Sequence, residues 1–166
     1  GPGACGGQYT AHTMATIAEI MGISPIGMNE VPAEDADKLE VALKAGEHVL
    51  KLIEMDLLPD KIITRTALEN AIASAAATGG STNAVLHTIA FAREAGMPFT
   101  IDDIEAISKR TAIIADMRPT GKFVAKDMYE AGGIQLLAKR MLEGNYLDGS
   151  TMTVTGQTLA EAVSGA

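Results

Sequence analysis

Aromatic residues and cysteine are scarce in this sequence of 166 residues. Aromatic side chains make up 4% of the residues and tryptophan is absent, so alanine, leucine, isoleucine and methionine must build the core. The single cysteine, Cys5, excludes a disulfide within the chain. A free thiol is typical of a reducing compartment.

Clusters of basic residues and long apolar runs are also missing. The net charge is −8, from 13 lysines and arginines against 21 acidic residues. This balance argues against a nucleic-acid or membrane-surface partner, because binding to phosphates needs clustered basic side chains. No apolar run reaches the roughly 20 residues of a membrane span, and no signal peptide is visible. We therefore predict a cytoplasmic protein, with an N-terminus that begins upstream of Gly1 because no initiating methionine is present.

Helical periodicity dominates what the chain does contain. With 47% hydrophobic and 20% charged residues, it has the composition of one globular domain. We predict a single helix-rich domain of the α/β class over residues 1–166, with short strands at 111–116 and 152–154. A first helix is expected from about Gln8 to Met21. A long second helix should begin between Pro32 and Asp37. Its apolar stripe consists of Leu39, Leu43, Val49, Leu50, Ile53 and Leu57.

Cys5 lies in a loop of glycines directly before the first predicted helix. Gly3, Gly6 and Gly7 leave backbone N–H groups open to a ligand, and the positive end of the helix dipole points at the thiol. Both features favour the thiolate, which ligates metals and attacks carbon. The residues therefore indicate a sulfur ligand or a sulfur nucleophile, although a lone cysteine is also common as a small buried hydrophobe.

Two further features invite a functional interpretation. Gly80, Ser81, Thr82 and Asn83 follow Gly79 and expose backbone N–H groups before the next helix, although a glycine break with a capped helix start needs no ligand. His12 lies seven residues after Cys5 and has the chemistry of a base for a thiol nucleophile. A partly buried helix histidine is the interpretation that we favour for it.

Gly3 to Met14, the segment GACGGQYTAHTM, is similar to the cluster-cysteine motif of the dihydroxy-acid dehydratases in the IlvD/Edd dehydratase family. That motif is usually close to GACGGMYTANTM, so Gln8 and His12 are departures from it. The similar blocks continue in the family's order over nearly the whole chain, at residues 79–87, 116–122, 131–134 and 147–159. The sugar-acid dehydratases of the family usually have GTC where this chain has Gly3-Ala4-Cys5. The resemblance thus favours the branched-chain dihydroxy-acid branch.

The resemblance implies that residues 1–166 are the later part of an N-terminal iron–sulfur domain in a longer enzyme. It makes Cys5 the last of three cysteines that hold the cluster, of the 2Fe–2S or the 4Fe–4S type. The other cluster cysteines, the Mg²⁺ ligands and the C-terminal domain with its catalytic serine lie outside this sequence. No catalytic residue is therefore expected within the chain. The implied pocket loop, which faces the cluster and substrate, comprises Gly3, Gly6, Gly7, Gly80, Ser81, Thr82 and Asn83.

The implied reaction is the dehydration of a small 2,3-dihydroxy carboxylic acid to a 2-keto acid in branched-chain amino-acid biosynthesis. Its substrates are 2,3-dihydroxyisovalerate and 2,3-dihydroxy-3-methylvalerate, and the full-length relatives form homodimers. We expect the chain without the rest of its parent to be inactive and free of cluster. Three alternatives remain: a sugar-acid dehydratase of the same family, a cysteine-nucleophile enzyme using Cys5 and His12, and a non-enzymatic helical interaction domain.

Overall fold

The computed structural model describes residues 7–166, which form nine helices. Gly3, Cys5 and Gly6 of the predicted site lie outside the described residues. In chain order the helices are α1 Tyr9–Ile20, α2 Lys38–Glu54, α3 Pro59–Ile62, α4 Arg65–Ala77, α5 Asn83–Glu94, α6 Ile101–Arg110, α7 Ala125–Glu130, α8 Gly133–Glu143 and α9 Leu159–Ala162.

Hydroxyl side chains fix the starts of two central helices. The Thr64 hydroxyl accepts the N–H of Ala67 at 3.2 Å and caps α4. Thr100 caps α6 in a reciprocal arrangement, because Asp103 accepts the Thr100 N–H at 2.7 Å. Each bond satisfies an N–H group that has no partner within its helix, so local sequence determines where these helices begin.

The core lies where α1 crosses α4. Ile17 and Ile20 on α1 and Leu68 on α4 have no exposed surface. Alanines occupy much of the inward surface of α4, which lets neighbouring helices approach closely. α4 also contacts α5 and α6, and α8 packs against both α1 and α7. α4 is thus the central helix on which the other segments are arranged.

Two carboxyl groups, one fully buried and one half-buried, hold the segment after α1 in place. Glu19 is fully buried and accepts the N–H groups of Gly27 at 2.7 Å and Asn29 at 2.6 Å. Glu30 accepts the N–H of Ile134, at the start of α8, at 2.6 Å. Burial raises the pKa of Glu19 to about 8 and that of Glu30 to about 7, against the opposing effect of these N–H donors.

The predicted strands are wrong. Residues 7–166 contain no strand, and β-type pairing there is limited to two isolated bridges, Met117 with Phe123 and Met152 with Thr158. Residues 111–116 run without regular structure, and Met152 makes a single bridge within a turn-rich segment. Apolar, threonine-rich runs favour extended backbone, but a strand also needs a neighbouring strand to pair with. The prediction of a helix-rich domain is confirmed for these residues.

The long second helix is present as predicted, but the prediction of its start is wrong. α2 begins at Lys38, after turns over residues 32–37. Its predicted stripe does not enter the core: no residue of α2 is buried, and Leu39, Leu43, Leu50 and Ile53 are 72%, 64%, 63% and 72% exposed. Among residues 7–166, none of the helices combines the length and apolar character that crossing a bilayer requires.

Candidate functional site

Three separated segments meet at the N-terminus of α1. The N–H of Gln8 donates to the carbonyl oxygen of Arg118 at 2.9 Å, which joins the start of α1 to the loop at residues 116–122. The Thr120 hydroxyl donates to the carbonyl oxygen of Gly79 at 3.0 Å, which joins that loop to the α4–α5 turn. Residues that are far apart in sequence therefore come together at the segment that directly follows Cys5 in the chain.

Gln8 lies at the centre of this junction. Its side chain has no exposed surface, and its Nε2 donates to the Thr78 hydroxyl at 2.9 Å. Thr78 in turn donates to the carbonyl oxygen of Ser74 at 2.9 Å. The Gln8 Oε1 is buried without a partner among the described residues. An unpaired buried acceptor is costly, so Gln8 offers this site an acceptor for a further donor.

Hydroxyl and amide groups connect α1 to the turn before α5. Thr10 and Ser81 share a hydrogen bond of 3.0 Å, and the Asn83 amide donates to the Thr10 hydroxyl at 2.8 Å. The Ser81 N–H donates to the Thr13 hydroxyl at 3.0 Å, and Thr13 donates to the carbonyl oxygen of Tyr9. The two segments are thus joined by direct hydrogen bonds.

Two glycines allow these segments to approach so closely. A Cβ on Gly80 would lie 2.9 Å from both the Gln8 Nε2 and the Thr13 Cγ2, and 3.1 Å from the Ala75 carbonyl oxygen. A Cβ on Gly7 would lie 2.6 Å from the Arg118 Cβ. The distances of 2.6 and 2.9 Å are shorter than those of normal Cβ contacts, so a side chain at either position would force its neighbours to shift.

The structure brings together most of the described residues in the predicted pocket loop. Gly7, Gly80, Ser81 and Asn83 lie in the junction. Thr82 is at the N-cap position of α5, but its side chain is exposed and makes no capping bond.

His12 is buried one turn after Gln8 on α1. It is 6% exposed, and neither ring nitrogen has a hydrogen-bond partner among the described residues. Burial lowers the pKa of this imidazole, since desolvation disfavours the charged form. No carboxylate among the described residues bonds to either ring nitrogen, which supports the interpretation as a buried helix histidine.

Sequence reasoning missed the residues that hold the junction together. Thr10, Thr13 and Thr78 carry its hydroxyl bonds, and Arg118 contributes through its backbone. Thr10 and Thr13 had a signal in the sequence, because both belong to the cluster of threonines directly after the glycine loop. Thr78 had no such signal, because its role depends on Gln8, 70 residues away.

The described residues do not form a complete metal site. In residues 7–166, no group of three or more histidine, cysteine, aspartate or glutamate side chains is placed to hold a metal ion. What this part of the chain offers is a glycine-lined junction of hydroxyl and amide groups at a helix N-terminus. Such a junction can orient a ligand, and a metal there would need thiolate or carboxylate ligands from elsewhere.

Comparison with protein families identifies the family to which the chain belongs. The family model described as "Dihydroxy-acid/6-phosphogluconate dehydratase N-terminal" matches residues 1–162. The chain belongs to this dehydratase family. The dihydroxy-acid dehydratase of Roseiflexus castenholzii is 55% identical over the whole chain, which spans 30% of that protein.

More distant relatives carry the same name. The dihydroxy-acid dehydratase of Koribacter versatilis is 52% identical over 97% of the chain, which spans 28% of that protein. The chloroplastic dihydroxy-acid dehydratase of Arabidopsis thaliana is 48% identical over 97% of the chain, which spans 26% of it. The chain therefore spans less than a third of these curated relatives.

Proposed function

We propose that this chain is the later part of the N-terminal domain of a cytoplasmic dihydroxy-acid dehydratase. The parent enzyme removes water from a 2,3-dihydroxy carboxylic acid to give a 2-keto acid in branched-chain amino-acid biosynthesis. The names of the relatives support this function, as does Gly3-Ala4-Cys5, which resembles the dihydroxy-acid branch. In this proposal the parent acts on a small dihydroxy acid as a homodimer, with its active site completed by the rest of its chain.

The observation that carries the proposal is the junction at the start of α1. The segment after Cys5 and the turn containing Gly80, Ser81 and Asn83 are hydrogen-bonded to each other, although about 70 residues separate them. A helical domain without a ligand does not need two glycine loops held together by half-buried hydroxyl groups. A pocket that must present fixed polar groups to a reacting molecule does.

Cys5 is the residue of this chain that would ligate an iron–sulfur cluster. The glycines around it fit a thiolate ligand, while the other ligands and those of Mg²⁺ must come from outside these residues. A bound cluster with an open iron would supply a Lewis acid for the departing hydroxyl. The chain's own contribution is positional: Gly7 and Gly80 allow the close approach, and Thr10, Ser81 and Asn83 fix its geometry.

The test uses the complete parent enzyme, purified without oxygen, with Cys5→Ser compared with His12→Asn. We expect Cys5→Ser to lose bound iron and visible cluster absorption together with dehydratase activity, whereas His12→Asn should retain iron. Full iron in Cys5→Ser would contradict the assignment of Cys5. Loss of activity in His12→Asn with iron and fold intact would favour the cysteine-nucleophile alternative.

The same preparation tests the substrate branch and the incompleteness of the chain. The parent should dehydrate 2,3-dihydroxyisovalerate in preference to a sugar acid, and the opposite preference would favour the sugar-acid alternative.

The 166-residue chain alone should bind no stoichiometric cluster after anaerobic reconstitution, because it has one cysteine. A stable cluster on it would disprove that expectation. An unaltered binding activity in Cys5→Ser, without any dehydratase activity in the parent, would indicate an interaction domain.

A further inference from the structure

The junction at the start of α1 carries positive charge, although the chain as a whole has a net charge of −8. The loop at residues 116–122 supplies two cations, Arg118 and Lys122, and both side chains are exposed. α1 and α5 begin at the same junction, since the Asn83 amide donates to the Thr10 hydroxyl. Neither helix has an acidic residue in its first turn, so no acid of their own offsets the positive ends of their dipoles. Local positive charge in an acidic chain favours an anionic ligand.

Arg118 is fixed directly beside the start of α1. Its carbonyl oxygen accepts the Gln8 N–H at 2.9 Å, and a Cβ on Gly7 would lie 2.6 Å from the Arg118 Cβ. Its own N–H donates to the carbonyl oxygen of Phe123 at 2.9 Å, which closes the loop on itself. The Arg118 side chain therefore leaves the backbone beside Gly7, two residues after Cys5 in the chain, from a position that two hydrogen bonds hold.

The Arg118 guanidinium has no carboxylate partner in the part of the chain that the structure describes. The ion pairs of residues 7–166 involve neither Arg118 nor Asp116, the acidic residue of the same loop. Lys122 differs, because its ammonium group lies 5.2 Å from the centre of the Phe123 ring. Of the two cations in the loop, Arg118 is thus the one that is available for a ligand.

The junction also contains an acceptor that needs a donor. Gln8 is fully buried there, and its Oε1 has no hydrogen-bond partner within residues 7–166. A ligand that suits both features carries a negative charge for the guanidinium and a hydroxyl group as a donor. A small hydroxy carboxylate has both groups, whereas a neutral sugar lacks the charge and a halide ion lacks the donor.

We propose that Arg118 is a substrate-binding residue whose guanidinium pairs with the carboxylate of the dihydroxy acid and holds the acid at the start of α1. A guanidinium can bind both oxygens of a carboxylate through two parallel N–H groups, which fixes the orientation of the acid as well as attracting its charge. This proposal rests on the proposed function, because it takes the dihydroxy acid as the substrate.

Steady-state kinetics of the complete parent enzyme, purified without oxygen, tests this role. Arg118→Gln should raise the KM for 2,3-dihydroxyisovalerate about tenfold and change kcat by less than about twofold, because a contact made equally in the ground and transition states affects binding alone. Arg118→Lys keeps the charge and should recover most of the loss.

Arg93→Gln is the matched control for these kinetics. Arg93 is an exposed arginine in the last turn of α5, at the opposite end of that helix from the junction, so its replacement should leave KM unchanged. An unchanged KM in Arg118→Gln would overturn the proposal. An equal rise in KM in Arg93→Gln would also overturn it, because the effect would then come from net charge and not from position.

The dependence on salt gives a second kinetic measure. Added salt screens an exposed charge pair, so kcat/KM of the wild type should fall as the ionic strength rises. The fall should be shallower in Arg118→Gln and should keep the wild-type slope in Arg93→Gln. Equal slopes in all three proteins would contradict a charge interaction between Arg118 and the substrate.

Equilibrium binding separates this inference from the reaction itself. The probes are the 2-keto acid formed from 2,3-dihydroxyisovalerate and the neutral amide of that acid, each titrated into the parent by calorimetry. Arg118→Gln should weaken binding of the acid about tenfold and leave binding of the amide unchanged. Equal losses for both probes, or loss of bound iron together with affinity, would indicate a structural role and refute the proposal. A parent that binds the acid through Arg118 and yet does not dehydrate 2,3-dihydroxyisovalerate would disprove the proposed function alone.

Discussion

α1 and α2 are both helices with periodic apolar residues, but α1 lies in the core and α2 lies on the surface. α1 buries His12, Thr13, Thr16, Ile17, Glu19 and Ile20, among them several polar side chains. α2 has the stronger separation of apolar and polar faces and buries nothing. An apolar stripe therefore shows which side of a helix favours burial. It does not show whether another segment of the same chain buries that side.

The polar residues of α1 explain why its pattern is the less regular of the two. Glu19 is buried because it binds the backbone of the following segment, and Thr13 is buried because it binds the turn before α5. Buried polar groups survive in a core when they have such partners. α1, whose buried polar groups bond to neighbouring segments, thus has the weaker amphipathic pattern, whereas α2, which buries none of its residues, has the stronger one.

The largest expected difference between the two regions is in the cost of truncating a leucine. Leu68→Ala removes a fully buried side chain where α1 and α4 meet, and should lower the free energy of unfolding by about 2–5 kcal/mol. Leu50→Ala on α2 should change it by less than about 0.5 kcal/mol when measured on the monomer. Urea titration at low protein concentration provides both values. Equal losses would show that α2 is covered within the chain.

The buried carboxylate on α1 should make stability depend on pH. Because the pKa of Glu19 is raised to about 8 from 4.5, the folded state holds its proton more tightly than the unfolded state does. Its stabilising contribution is complete below pH 4.5 and is lost as the pH rises through about 8. Glu30, which faces Glu19 and has a pKa raised to about 7, should contribute in the same direction.

The measurement is the free energy of unfolding of the wild type and of Glu19→Gln across this pH range. We expect the wild type to lose roughly 2–4 kcal/mol, and Glu19→Gln to show a shallower slope because its side chain does not ionise. Glu54→Gln, which removes an exposed charge on α2, is the matched control and should keep the wild-type slope. Parallel curves for the wild type and Glu19→Gln would contradict the raised pKa.

A smaller effect is expected from a single added methyl group at the junction. Gly80→Ala should destabilise the chain by about 1–3 kcal/mol, because the new Cβ would overlap Gln8, Thr13 and Ala75. In the parent enzyme it should also lower activity by displacing the turn. Gly165→Ala is the control, since its Cβ would meet no atom within 4 Å. If the two substitutions have equal effects on unfolding, the junction is looser than the structure indicates.

Local signals in the sequence predicted much of the helical structure. The first helix was expected at about Gln8 to Met21 and spans Tyr9–Ile20, and Thr100 caps α6 through Asp103, three residues further along the chain. These features depend on residues three or four apart, whose contacts are present in the sequence itself. The strand predictions were wrong because extended backbone at 111–116 and 152–154 has no continuous neighbouring strand to bond with.

In the candidate site, too, the sequence predicted some features and missed others. The glycine loops at Gly7 and Gly80 were recognised as special from sequence, and the family model and the named relatives confirm the family that they indicated. The partners that hold them were not recognised, because Thr78 and Arg118 have ordinary local sequences. Their roles arise from contacts across 70 or more residues.

By itself, the sequence determined the family, the helical character and the approximate position of the first helix, since motifs and local patterns lie within a few residues of the chain. Only the tertiary structure decided that Gln8 joins three segments, that Glu19 is buried against backbone N–H groups, and that α2 leaves its apolar residues exposed. The physical reason is that burial and long-range hydrogen bonds depend on which segments lie side by side. Periodicity specifies a face, and the packing of the remaining chain decides what that face contacts.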